Sequence, residues 1–259
     1  MTKEELIEQF DPNGPGTAGS LFGLPFTPES AEVVVIPIPW EVTVSYHSGT
    51  AKGPQVILDA SSQIDLAMRD IPDAWKLGIS ILPFPANLYE ESLNLRDLAS
   101  KHIHALERGE KIEVGNPVVA KINEACENLN IYVKSVTQKY LKEKKMVALL
   151  GGDHSTPLGF LRALSEVHER FGILQIDAHA DLRRAYEGFT YSHASVMFNA
   201  LKIPGVARLV QVGIRDYCDE ELRIIDRAMG RVVSYFDQDI KDQGYEGKSW
   251  SSTCDQIVA

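Results

Sequence analysis

Met146 to Asp181 reads MVALLGGDHSTPLGFLRALSEVHERFGILQIDAHAD, and this stretch decides the fold. MVALL is a short apolar run closed by two glycines, the pattern of a buried strand ending in a turn. TPLGFLRALSEVHERF spaces its apolar residues as an amphipathic helix does, with Ser155 or Thr156 available as a cap and Pro157 suited to the first turn. GILQI is a second buried strand. A strand, a helix and a strand in succession imply a crossover connection and a parallel pair.

The same alternation extends in both directions. AEVVVIPIPW (Ala31–Trp40) is a β-branched run stopped by prolines, read as a buried strand and a loop. The loop EVTVSYHSGTAKGP carries Gly49, Gly53 and Pro54 and leads into a helix start at QVILDASSQI. LGISILPF is another strand, and Pro117–Lys144 has the apolar spacing of one long helix or two. Beyond Asp181, ARLVQVGI is a strand, DEELRIIDRAM a helix, RVVSYF a strand and SSTCDQIVA the start of a helix. The expected architecture is a three-layer α/β/α arrangement around a mainly parallel central sheet covered on both faces. No repeat or linker divides the chain, so residues 1–259 are read as one domain, with residues 1–30 as an N-terminal arm that opens on a short amphipathic helix.

The 259 residues are 44% hydrophobic and 24% charged, ordinary values for a globular protein. A formal charge of -10 argues against nucleic acid or an anionic membrane as the main partner and mildly favours cationic ligands. No early stretch reads as a signal peptide and no apolar run is long enough to span a bilayer. Cys126, Cys218 and Cys254 lie far apart without CxxC spacing and are read as buried free thiols. Together these features point to the cytoplasm.

In parallel α/β sheets, ligands bind beyond the carboxyl ends of the strands. GGDHS follows the first strand of the opening stretch and delivers His154 there, while Asp153 is read as shaping the turn. DAHAD follows the second, and residues two apart in an extended segment point the same way, so Asp177, His179 and Asp181 are expected to converge. If the two strands are neighbours, these four residues form an imidazole and carboxylate cluster suited to Mn²⁺, Fe²⁺ or Zn²⁺, and a carboxylate in it can bridge two ions. His193, in YSHAS after a loop holding Glu187 and Gly188, is a candidate proton carrier.

GGDHS, IDAHADLR, YEG and SHASVM, in that order, closely resemble the ureohydrolases, the family of arginase and agmatinase. PIPWEVTVSYHSGTAKGPQVILDAS resembles the entrance loop of the agmatinase branch, and QVGIRD fits as well. The resemblance begins near residue 30 and implies an arginase-like fold, two Mn²⁺ ions and hydrolysis of a guanidino compound, foremost agmatine, to urea. It implies that His154 and Asp181 bind one manganese, that His179 binds the other, and that Asp177 bridges both. It further implies that Asp181 orients a metal-bridging hydroxide that attacks the guanidinium carbon, and that His193 passes a proton to the departing amine. Relatives are trimers or hexamers, so a homo-oligomer is expected.

One departure stands out. The family takes its remaining ligands from a later strand end, Ser-Phe-Asp-x-Asp-x-x-Asp-Pro, and this chain has SYFDQDIKDQ, with Asp237, Asp239 and Asp242 at that spacing. The segment comes one strand and helix early, Gln243 replaces the proline, and no GTP-E-GG-like segment follows. It is therefore read as a decoy, in a ureohydrolase sequence cut short before its last ligand motif and C-terminal strands, with little or no activity by itself. The alternative is a rearranged site that uses Asp237 and Asp239.

Arg183 and Arg184 follow the ligand segment; either suits the carboxylate of a substrate such as formiminoglutamate, or forms a salt bridge, perhaps with Glu187. A non-catalytic binding or assembly subunit is the reading from another class. A histone-deacetylase-like amidohydrolase is disfavoured by GGDHS and by the DAHAD quartet.

Overall fold

The computed structural model describes residues 1–111 and 113–259. Its contacts divide the chain into two compact units, Met1–Phe160 and Leu161–Ala259.

The first unit opens with α1 (Lys3–Gln9), whose start is fixed by a capping box between Thr2 and Glu5. The β-branched run then forms β1 (Val33–Ile38), buried along its whole length. It extends through Pro37 to Ile38 rather than stopping at the first proline. After α2 (Gly53–Ser61) come β2 (Ile79–Ile81), α3 (Ala86–Glu107), α4 (Pro117–Lys142) and β3 (Met146–Gly151). The strands form a parallel sheet in the order β2-β1-β3, with Val33 opposite Ile79 on one side and Met146 on the other. α4 is one helix, begun by Asn116, whose side chain accepts hydrogen bonds from the Val118 and Val119 N–H groups. Its buried face runs through Ile122, Ala125, Leu129, Val133 and Tyr140, the apolar spacing read from the sequence.

The sequence reading passes over α3. Its buried positions are Ser92, Leu95, Arg96, Ala99 and Ile103, which recur at helical spacing but include a serine and an arginine. The stripe is real; its chemistry is not apolar enough to announce it.

The boundary between the units falls inside α5 (Leu158–Val167). The second unit continues with β4 (Phe171–Ile176), α6 (Val196–Ala200), β5 (Val206–Ile214), α7 (Asp219–Arg227), β6 (Val232–Phe236), α8 (Asp237–Tyr245) and α9 (Trp250–Val258). Its sheet is parallel in the order β4-β5-β6. The parallel α/β class is as expected, and the strands pair in two three-stranded parallel sheets.

β4 corrects the sequence reading in one respect. GILQI is not buried on both faces: Leu174 is 57% and Ile176 79% exposed, while Gln175 between them is buried. The buried side is set by hydrogen bonding, because Gln175 pairs with Gln211 of β5 inside the sheet. A second correction concerns the thiols: all three cysteines are free, but only Cys126 is buried and the other two are half-buried. Among the described residues no helix is long and apolar enough to cross a membrane.

Candidate metal centre

His154 belongs to the first unit and follows β3 in the turn Gly151-Gly152-Asp153. Gly152 has φ +43, and a Cβ there would lie 2.4 Å from the Trp40 carbonyl oxygen and 2.6 Å from that of Ile38. Only glycine lets the turn pass this close to the end of β1. The Asp153 N–H donates to the Trp40 carbonyl at 2.8 Å, and the Thr50 hydroxyl donates to the Gly152 carbonyl at 3.1 Å. Asp153 shapes the turn as its position suggested: its Oδ1 accepts from the Ser155 N–H at 2.8 Å and the Ser155 hydroxyl at 2.5 Å. Burial pushes the Asp153 carboxyl up to about 6, against the lowering effect of the Ser155 hydrogen bonds. Ser155 is thus committed to Asp153, and Thr156 Oγ1 likewise donates to the Asp153 carbonyl.

The glycine loop before α2 is fastened to the same turn. Glu41 is buried, and its Oε2 accepts from the Gly49 N–H at 2.6 Å and the Ala51 N–H at 3.0 Å. Its own N–H donates to Ser92 Oγ at 3.0 Å, and Arg96 Nε donates to Ser48 Oγ at 3.0 Å. Two polar residues of α3 therefore hold both limbs of the loop, which leaves Tyr46 exposed with its ring against that of His47.

Asp177, His179 and Asp181 belong to the second unit and follow β4. The backbone does not stay extended: Asp181 adopts φ +53, a left-handed conformation. One carboxylate oxygen of Asp177 and one of Asp181 lie within 4.8 Å of each other. Two negative charges this close repel by on the order of 3 kcal/mol at an effective dielectric constant of about 20. A divalent cation between them removes that cost, and two carboxylates with an imidazole are a donor set that fits Mn²⁺, Fe²⁺ or Zn²⁺.

His179 adjoins Asp177. Its side chain is 60% exposed, with Nδ1 3.5 Å from Asp177 Oδ1 and Nε2 3.7 Å from Asp216 Oδ2. A parallel bridge between His179 and Asp216 prolongs the β4–β5 pairing and sets the two residues side by side. Asp216, in QVGIRD, is a neighbour the sequence reading did not identify.

The rest of the loop is closely tied to Asp181. Its carbonyl accepts from the Met197 and Phe198 N–H groups at the start of α6, and the Arg183 N–H donates to the Ala194 carbonyl at 3.1 Å. Tyr186 and Phe189 form a two-residue hairpin around Glu187 and Gly188, both at positive φ. His193 stands in the turn His193–Ser195 with its ring edge-on to Tyr186 at 6.0 Å. Arg184 Nε pairs with Glu220 at 2.8 Å. Arg183 lies 4.8 Å over the Tyr186 ring, with Nε 3.8 Å from Glu221. Both arginines thus stand beside glutamates of α7.

Asp237 and Asp239 open α8, where residues two apart point to different sides. Asp237 pairs with Lys241 at 2.6 Å, and Asp242 accepts from Gln238 at 2.9 Å. Both are engaged along the helix surface.

Residues 31–249 match the Arginase family. The chain is 31% identical over 198 residues to an N(1)-aminopropylagmatine ureohydrolase of Synechocystis sp., covering 75% of this chain and 54% of that protein. It is 32% identical over 209 residues to a protein of the same description from Thermus thermophilus, covering 79% and 58%. It therefore spans little more than half the length of these curated relatives. Among solved structures, the agmatine ureohydrolase of Thermoplasma volcanium superposes with a TM-score of 0.62 at 25% identity, over 94% of this chain and 68% of that one.

Proposed function

Since the chain belongs to the arginase family, we propose that it contributes the metal-binding half-site of a hydrolase that releases urea from a guanidino compound. Agmatine or an aminopropyl derivative of it is the favoured substrate, in line with the named relatives. The observation that carries this reading is the approach of the Asp177 and Asp181 carboxylates at the carboxyl end of β4.

In this reading His154, Asp177, His179 and Asp181 would hold Mn²⁺, with two ions expected in the full site. When bound, the metal would lower the pKa of water to about 7 and so make a nucleophile available at neutral pH. The chain's own residues do the rest. Asp181, buried and held by the start of α6, keeps a hydrogen-bond acceptor fixed at the reacting centre. His193 carries the proton that the departing amine requires, a role in general worth on the order of 10²- to 10⁴-fold. The formal charge of -10 favours a cationic substrate.

Arg183 and Arg184 stand beside Glu221 and Glu220, which favours a substrate without a carboxylate over formiminoglutamate. The same reading makes the working form a cytoplasmic homo-oligomer, a trimer or hexamer.

Urea release measured with Mn²⁺ on agmatine, its aminopropyl derivative, arginine and guanidinobutyrate, beside formamide release from formiminoglutamate, tests the assignment. Urea from the first two, weak at most for this chain by itself and lost in His154→Ala, is the expected result. Formamide from formiminoglutamate alone reassigns the substrate, and urea release that His154→Ala leaves unchanged contradicts the proposal.

A further inference from the structure

Two strands of the second unit each carry one glutamine in an otherwise apolar run, Gln175 in GILQI and Gln211 in RLVQVGI. They are register partners across β4 and β5 and are only 4% and 0% exposed. A buried amide is costly unless all its groups are paired.

The pairing fixes which way each amide points. Gln211 Nε2 lies 2.7 Å from the Ala180 carbonyl oxygen and 2.6 Å from Gln175 Oε1. A backbone carbonyl only accepts, so Gln211 must turn its NH₂ group toward Ala180. Its Oε1 is then left to accept from the Ser234 hydroxyl at 2.7 Å, and Gln175 must offer it an oxygen. Gln175 therefore points its own NH₂ group the other way, to the His179 carbonyl at 3.1 Å and Asp177 Oδ2 at 3.4 Å. The His179 carbonyl, also an acceptor only, demands the same orientation independently.

We infer that Ser234, Gln211 and Gln175 form a buried hydrogen-bond relay that fixes the Asp177 carboxylate, so that Gln175 and Gln211 are positioning residues for metal binding. The inference rests on the metal-site reading above. Asp177 Oδ1 accepts from the His179 N–H at 2.9 Å while Oδ2 faces the Gln175 amide, so both oxygens are oriented from behind. An amide suits this task because it donates without a charge and without titrating. The carboxylate keeps its full negative charge for a cation and loses the freedom to rotate.

The test is a Mn²⁺ titration followed by the electron paramagnetic resonance signal of free Mn²⁺, on the full chain and on Gln175→Met, Gln211→Met, the double variant and Ser234→Ala. Each methionine variant should weaken Mn²⁺ binding by about 10- to 100-fold. The double variant should lose less than the product of the two single losses, because Gln211 acts in part through Gln175 and in part through the Ala180 carbonyl. Ser234→Ala should shift affinity in the same direction by less. Methionine variants that melt at lower temperature yet bind Mn²⁺ as the parent does overturn the relay and leave the metal site standing. Should Gln211→Met not fold, Gln175→Met and Ser234→Ala decide, and unchanged affinity in both overturns the inference. A parent chain that takes up no Mn²⁺ removes the metal-site reading and the relay with it.

Discussion

The buried carboxylate of Glu221, on α7, accepts a hydrogen bond from the Leu182 N–H at 2.9 Å, directly after Asp181. Its other oxygen accepts from the Cys218 N–H at 2.9 Å, so one side chain caps α7 and fixes the ligand loop to it. Glu221→Ala strands both N–H groups. Each such loss costs about 1–3 kcal/mol when the donor stays buried. The expected result is a stability loss of about 2–4 kcal/mol in urea unfolding, with Glu221→Gln milder because it keeps one acceptor. A fully stable Glu221→Ala protein would contradict the clamp.

Gly152 makes a similar demand on the turn that carries His154. A methyl group there meets two backbone carbonyl oxygens of the Ile38–Trp40 segment at under 3 Å, and the backbone angle is left-handed. Strain and overpacking of this kind cost about 2–4 kcal/mol together. Gly152→Ala should lower the melting temperature and Mn²⁺ affinity together, while Gly49→Ala, where φ is also positive but a Cβ meets nothing within 4 Å, should cost less. Equal effects at the two positions would show that the close approach is unimportant.

How much of this was legible beforehand differs between elements. β1, β3 and α4 follow from apolar runs and spacing, because each buries a face made of apolar side chains. α3 was missed because it buries Ser92 and Arg96, whose task is to hold the glycine loop. For the site, glycine spacing placed His154, and the strand end placed Asp177 and Asp181. Asp216, beside His179, is a neighbour that local alternation cannot reveal. The lone glutamines in two apolar strands were a visible signal, but only the register shows that they face each other.

Asp237 and Asp239 have the spacing of a ligand pair, yet they open a helix, and Asp237 is engaged with Lys241. Asp237→Asn and Asp239→Asn should therefore leave Mn²⁺ affinity unchanged within about twofold, since only a surface ion pair of under about 1 kcal/mol is lost. A tenfold weaker affinity in either would mean that this segment binds the metal after all.

Burial pushes the Cys126 thiol well above its usual range, and the nearby Asp153 charge adds to the effect. The thiolate is the reactive form. Iodoacetamide at pH 8 should label Cys218 and Cys254, which are half-buried, and reach Cys126 only when denaturant is added. Mass spectrometry of the labelled peptides reads this directly, and rapid native labelling of Cys126 would contradict its burial.

The central proposal is that His154, Asp177 and Asp181 would serve as ligands to Mn²⁺. Crystals grown with Mn²⁺ and measured at the manganese absorption edge test it most directly. The account predicts an anomalous peak coordinated by the His154 imidazole and the Asp177 and Asp181 carboxylates. Manganese bound only elsewhere, or none bound in crystals grown at millimolar Mn²⁺, would contradict it.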